Sequence, residues 1–391
     1  MSRGTLHAFS RHIVRLSMPS KRLLFIQDDL FLSSFYRDQM ESAGFTVETA
    51  RDLDSGLKLM EEIRPDLVVV DPVLSTGPIG GAVQAIRRKG LGANLPVLVL
   101  PTPHIDEINS DPAFGPTQLL SRSRDRMVEL MEATEMQLKM PGSTDRNQRL
   151  VPSGLDTEWR ATIVSTATET LTGLRQKLHE FMRAPNAEGI RDLLNRAHSF
   201  GEQIALLGQN GLVHVANAVE VLLNGLEVFP ERMNPVTLRT LGQACDFLAV
   251  LMEKQAYQHP LDLSDAHIMI VEDEAGARDM ISAAMSMVGL NSDGLETPGA
   301  SLAVLSASPC DLIFLDVNLP EMNGFELCAQ LRQIPMHEST PILFLTGFAS
   351  FQNRVQSNLS GGNDFISKPF NLAELGVKAL LWVIKGRLGI Q

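Results

Sequence analysis

CDLIFLDVNLP (310–320) is an apolar run that closes on an acid, and PDLVVVDPVL (65–74) repeats the arrangement earlier in the chain. A strand buried on both faces of a parallel sheet reads as such a run, with its polar end at the carboxyl edge of the sheet. The same relation links LLFIQDD (23–29) to IMIVEDE (268–274), and LPVLVLP (95–101) to TPILFLTG (340–347). Asp28, Asp71 and Pro101 precede Asp273, Asp316 and Thr346 by 245 residues in every case. Three coincident offsets imply two copies of one domain. Amphipathic stretches such as AGARDMISAAMSMVG (275–289) and GFELCAQLRQI (324–334) separate the strands. Each copy is therefore expected to be an α/β domain, a doubly wound parallel sheet covered by helices. Such sheets gather their sites at the carboxyl ends of the strands, so the motif acids converge at one edge.

Between the copies, KMPGSTDRNQRLVPSG (139–154) is rich in Pro, Gly, Ser and charge, and 139–156 reads as a linker. Residues 157–258 then show only helical periodicity. Leu171, Leu174, Leu178 and Phe181 form one apolar stripe; Ile190, Leu193, Leu194, Ala197, Ile204 and Leu207 form a second. Leu212, Val215, Val219, Leu222 and Leu226 make a third. Leu238, Leu241, Cys245, Leu248 and Met252 make a fourth, opened by Asn234 as N-cap and Pro235 at the first helical position. A four-helix bundle is the economical expectation.

Composition narrows the function. A net charge of −12 argues against a general nucleic-acid binder, which needs clustered Lys and Arg, while leaving room for a local basic patch. Cys245, Cys310 and Cys328 lack metal-ligand spacing and read as small apolar residues of a reducing compartment. No apolar run is read as approaching the roughly 18 residues that span a bilayer. Residues 1–20 are basic and free of acids, a composition shared by disordered leaders and transit peptides, with Met18 an alternative start. The expectation is a disordered basic leader and a cytoplasmic protein without membrane or nucleic-acid partners.

The second copy carries a coherent chemistry. Glu272 and Asp273 end its first strand, Asp316 the third, Thr346 the fourth and Lys368 (in DFISKPF, 364–370) the fifth. Three carboxylates at one edge raise one another's pKa values unless a cation joins them, and Mg2+ suits an all-oxygen site. Asp316 is then a nucleophile toward phosphorus, with Lys368 and the Thr346 hydroxyl on the oxygens of the transferred group. These motifs resemble the receiver domain of bacterial two-component response regulators, with its flavodoxin-like fold, over the whole of 266–391. The resemblance implies a phosphoryl group donated by phosphohistidine of a histidine kinase or phosphotransfer protein, with the receiver catalysing its own phosphorylation and acting as a signalling phosphoacceptor, not an enzyme. It also implies a further Mg2+ ligand, the backbone carbonyl of Asn318, and a Phe365 that swings inward when Thr346 moves to the phosphate.

In the first copy, 21–138, the positions diverge. Gln27 replaces the first acid, Asp28 and Asp71 remain, Pro101 stands in place of the Thr, and Arg122 is the nearest cation to the lysine position. The expectation is a degenerate receiver kept for homodimer or partner contact, with Asp71 as a residual phosphate acceptor the alternative. In 157–258, RAHSFGEQIALLG (196–208) resembles the histidine phosphotransfer (HPt) domain at His198 and Gly208, but Gly201 and Glu202 replace the family's Lys and Gly. Three readings of His198 stand: an active phosphohistidine, a remnant in an adaptor, or an ordinary surface histidine. Ala197 takes the apolar stripe, so His198 is expected to be at least partly exposed, with Glu202 presenting a negative charge beside it. His179 and His214 have no supporting motif. The whole reads as a phosphorelay response regulator acting through a downstream protein target, since little chain follows the second receiver. An internal His198–Asp316 relay and a non-phosphorylated scaffold are the alternatives.

Overall fold

The computed structural model describes residues 21–71, 80–89, 94–100, 117–120, 126–138, 157–208, 211–259, 261–347 and 360–390. The basic leader, the 139–156 linker, Pro101 and Arg122 lie outside these residues. The chain forms two compact units that divide in the main near residue 150.

In the first unit the elements run β1 (Arg22–Ile26), α1 (Leu30–Ser42), β2 (Thr46–Ala50), α2 (Leu53–Ile63), β3 (Leu67–Val70), α3 (Gly80–Arg88), β4 (Val97–Val99), β5 (Thr117–Leu119) and α4 (Arg126–Gln137). All strand pairs are parallel, in the order β2-β1-β3-β4-β5. Leu23, Leu24, Phe25 and Ile26 are all buried, as an unbroken apolar run in a central parallel strand requires.

The second unit opens with α5 (Thr157–Arg183), α6 (Ala187–Ala205), α7 (Gly211–Val228) and α8 (Pro235–Glu253). Each of these packs on the next, and α8 returns to α5. Asn234 caps α8 by accepting from the Val236 and Thr237 amides at 2.8 and 3.0 Å, with Pro235 at the first helical position. Then follow β6 (His267–Val271), α9 (Ala275–Met287), β7 (Asn291–Leu295), α10 (Pro298–Ala307), β8 (Leu312–Asp316), α11 (Gly324–Leu331), β9 (Ile342–Thr346), β10 (Asp364–Ser367) and α12 (Leu372–Leu388). The sheet order is β10-β9-β8-β6-β7, parallel throughout. Element by element this is the topology of the first sheet, so the offset of 245 residues in the sequence corresponds to a repeated fold.

Helix α7 corrects one sequence reading. Its 18 residues are long and apolar enough, by length and composition, to cross a membrane. It packs among α6, α8 and α12, and 61% of the stretch is buried inside the protein, the pattern of a core helix.

Helices and sheet in this unit are not separate bodies. Helix α12 lies on α9 of its own domain and on α7 and α8. At this junction the buried Glu374, in the first turn of α12, accepts hydrogen bonds from Thr237 (2.9 Å) and Thr240 (3.0 Å). The Thr240 hydroxyl also lies 3.2 Å from the Val236 carbonyl. Among the described residues no Lys or Arg pairs with Glu374. Its charge is met by two hydroxyls and by the positive end of its own helix. A buried carboxylate without donors is costly, so Thr237→Val combined with Thr240→Val is expected to lower stability by about 1–3 kcal/mol, measured as a reduced urea midpoint. An unchanged midpoint would show that the junction does not depend on these bonds.

Candidate functional site

The carboxyl edge of the second sheet brings the expected residues together. Strand β6 ends at Val271, so Glu272 and Asp273 emerge from the sheet side by side. The Glu272 amide donates to the Leu295 carbonyl at 3.1 Å, which keeps Glu272 on the sheet's edge. Glu272 is 1% exposed and Asp316, the last residue of β8, is 4% exposed, whereas Asp273 faces solvent. One carboxylate oxygen from each of the three lies within 4.8 Å of the others. Among the described residues this is the one cluster of three acids at metal-ligating distance.

Lys368 closes the site from the end of β10. Its Nζ donates to Glu272 Oε2 at 2.6 Å and to Asp316 Oδ2 at 3.1 Å. Its amide donates to the Thr346 carbonyl at 2.7 Å, so the two residues sit at adjacent strand ends. Burial pushes the Glu272 carboxyl up, against the Lys368 ammonium, and the neighbouring Asp316 carboxylate pushes it the same way. Burial opposes the charge on Lys368, but its bonds to Glu272 and Asp316 outweigh this and hold its pKa above the usual lysine value. The site thus carries more negative charge than its lysine offsets. An all-oxygen set of this kind suits a hard cation such as Mg2+.

The remaining expected residues take defined places. The Asn318 amide donates to Asp316 Oδ1 at 3.3 Å, which brings the backbone of the β8–α11 loop against the acceptor. Thr346 is buried at the end of β9. Phe365 is half-buried in β10, in register with Phe344 and packed against the hydrophobic core of this sheet.

Two residues that sequence reading missed shape this edge. An ideal Cβ on Gly324 would lie 2.1 Å from the Asp316 carbonyl oxygen, because the Gly324 amide donates to the Val317 carbonyl and folds the loop back. The neighbouring Asn323 caps α11. The contact of Gly324 on Asp316 depends on the folded loop and left no signal in the sequence. The second is Arg278, whose Nη1 donates to the carbonyls of both Glu272 (2.7 Å) and Asp273 (2.8 Å). A single arginine on an amphipathic helix gave no signal.

In the first unit, Gln27 and Asp71 are buried and Asp28 is exposed. The next acid, Asp29, is spent on capping α1, accepting from the Phe31 and Leu32 amides. No third carboxylate joins Asp28 and Asp71 within metal-ligating distance among the described residues.

His198 requires a correction. It is 3% exposed, and its Nδ1 lies 2.9 Å from Glu220 Oε1 of α7. Glu202 is equally buried, so it presents no charge to an approaching domain. The single-stripe reading failed because α6 packs on both α5 and α7, which widens its buried face past the Ala197 line. His179 is an exposed residue bonded to Arg183, and His214 contacts the Leu261 carbonyl, with burial holding its imidazole below the ordinary value.

Residues 268–379 match the response regulator receiver domain family. The chain is 36% identical over 120 residues to the DNA-binding dual master transcriptional regulator RpaA of Synechocystis, covering 29% of this chain and 48% of that one. The chain thus spans about half the length of such curated relatives. It is also similar to the solved structure of the chemotaxis protein CheY4 of Vibrio cholerae, at 30% identity over 28% of this chain and 92% of that one (TM-score 0.28). A third likeness is the receiver domain of the sensor histidine kinase PA1611 from Pseudomonas aeruginosa, solved with a magnesium ion coordinated in its active-site cleft. It matches at 25% identity over 30% of this chain and 97% of that one (TM-score 0.29). The carboxy-terminal α/β domain of this chain therefore belongs to the response regulator receiver family.

Two tests follow from the geometry. Lys368→Ala leaves Glu272 and Asp316 facing each other without their ammonium. The variant is expected to melt lower than wild type in EDTA and to recover more of its Tm than wild type does when Mg2+ is added. Equal Mg2+ effects on the two would show that Lys368 does not offset the acids. Gly324→Ala forces the loop off Asp316 and is expected to cost more than the roughly 1 kcal/mol range of an ordinary Gly→Ala change, read by chemical denaturation. A wild-type unfolding curve would contradict the close approach.

Proposed function

We propose that the chain is a phosphorelay response regulator that accepts a phosphoryl group on Asp316 from phosphohistidine of a partner kinase or phosphotransfer protein. The observation that carries this reading is the convergence of Glu272, Asp273, Asp316 and Lys368 on one edge of a receiver-family domain. Glu272, Asp273, Asp316 and the Asn318 carbonyl would hold Mg2+, which supplies charge neutralisation between the carboxylates and the incoming phosphoryl group. An Asp316 carboxylate oxygen forms the bond to phosphorus as the P–N bond to the donor imidazole breaks, and the electron pair leaves with that imidazole. Lys368 and Thr346 bind the oxygens of the transferred group, and Phe365 follows Thr346 inward.

The output runs through protein contacts. Supporting this, the face of the receiver formed by α12 is already occupied by α7 and α8 of the helical segment, an HPt-like four-helix bundle in this reading. The burial of His198 against Glu220 favours an adaptor role for that bundle over an internal relay. A phosphohistidine must reach the receiver's aspartate in line, and a sealed imidazole does not. The first unit serves as a degenerate receiver for partner or homodimer contact, supported by Gln27 in place of the first acid. The setting proposed for this activity is the cytoplasm.

Incubation of the intact chain with acetyl phosphate and Mg2+, followed by intact mass, tests the proposal. Wild type is expected to gain one acid-stable, base-labile phosphoryl group, and Asp316→Asn none, while keeping its fold because Asn is nearly isosteric. A phosphoryl gain by the Asn variant at the wild-type rate sinks the assignment. Phosphate on His198, acid-labile in the same preparation, would restore the relay reading.

A further inference from the structure

We infer that Arg278 is a positioning residue for the metal site, holding the Glu272–Asp273 backbone in the conformation that turns both carboxylates toward Asp316. This rests on the receiver reading of that site and adds a residue to its machinery.

The acidic pair leaves β6 at the point where the chain must turn into α9. Glu274 at the N-cap makes no side-chain capping bond, so the turn is not fixed in the way that Asp29 fixes the entry to α1 in the first unit. The fixing group comes instead from one turn into the helix. Arg278 Nη1 bridges two consecutive carbonyls, Glu272 at 2.7 Å and Asp273 at 2.8 Å. Its stem is anchored independently. An ideal Cβ on Gly294 of β7 would stand 3.2 Å from Arg278 Cδ, so the absence of a side chain at Gly294 makes room for the arginine to run between α9 and the strand. Helix, turn and neighbouring strand are thereby joined through one side chain.

The choice of partner atoms matters chemically. Among the described residues, no carboxylate pairs with Arg278. A guanidinium bonded to Glu272 or Asp273 side chains would compete with a cation for the same oxygens. Bonded to the carbonyls, it takes up no carboxylate oxygen of either residue and still places a positive charge beside three acids that repel one another. Groups that orient metal ligands from one layer out typically change metal affinity by about 10–100-fold when removed. Lysine substitutes poorly here, because its stem ends one bond short of Nη1, the single nitrogen that makes both bonds.

The full-length chain is compared as wild type, Arg278→Met and Arg278→Lys. Methionine keeps the packing of the stem against Gly294 and removes the guanidinium. Mg2+ affinity is measured by calorimetric titration, acetyl phosphate-dependent phosphorylation by intact mass over a range of Mg2+, and Tm in EDTA. Arg278→Met is expected to weaken Mg2+ binding at least about tenfold, to raise the Mg2+ concentration for half-maximal phosphorylation equally, and to recover close to the wild-type rate at saturating Mg2+. Arg278→Lys should fall between the two. Wild-type Mg2+ affinity in the Met variant overturns the inference, as does a loss of Tm in EDTA with no change in Mg2+ affinity, which is what a merely structural arginine would give. If the Met variant does not fold, the Lys variant decides, and a Mg2+ affinity equal to wild type overturns the inference. A wild-type chain that binds no Mg2+ would instead sink the receiver reading itself, which separates the two failures.

Discussion

The ammonium of Lys368, set between the buried carboxylates of Glu272 and Asp316, is the interaction on which the functional edge of the second sheet depends. Two acids brought this close out of water would be driven toward protonation, and a protonated acid is neither a metal ligand nor a nucleophile. The lysine opposes this at Glu272, at the cost of occupying oxygens that a cation also wants. It does so from the end of β10, the strand most distant in sequence from β6, so the site exists only once the five parallel strands have assembled in order. The exposed Asp273 leaves the cluster one open side, and a loop folded tightly over Gly324 brings the Asn318 backbone to the other.

The first unit has the same sheet topology with a different set of residues at the corresponding edge. With Gln27 at the position of the first acid, the end of β1 carries one carboxylate fewer than the end of β6. The strands still bury the same kind of apolar run, because the fold is held by the sheet's core and not by its edge. The two halves of the repeat therefore share an architecture while their edges differ in charge. This is consistent with site chemistry being a graft on a fold whose stability comes from elsewhere.

The helical segment draws its meaning from α12. This helix belongs to the receiver, starts directly after the strand that carries Phe365 and Lys368, and packs on α7 and α8 as well as on α9. Its polar contacts are divided in the same way. Lys378 reaches back to Asp364 of β10 at 2.7 Å, while Glu374 faces the hydroxyls of α8. The strand end at the acidic cluster and the helices outside the receiver are thus neighbours through a single helix, a short physical route for a change at one to reach the other.

Much of this was legible in residues 268–274, 310–320 and 364–370. Unbroken apolar runs ending in acids specify buried parallel strands, and the spacing of those runs specifies the alternation with helices. The topology of such sheets then sends every strand end to the same edge. Local pattern was enough to place Glu272, Asp273, Asp316 and Lys368 at one edge, where the structure brings them together. Contacts between elements were not legible, because they depend on which faces meet. His198 sits one residue off the apolar stripe of α6, and only the second neighbour of that helix, α7, turned its position into an interior one with Glu220 as partner. Arg278 and Gly324 look unremarkable in sequence, yet each is fixed by backbone carbonyls that the fold brings within reach. Helix α7 is apolar enough for a membrane, and it was its neighbours α6, α8 and α12 that made it a core helix, since burial of a helix face is decided by what packs against it and not by its composition.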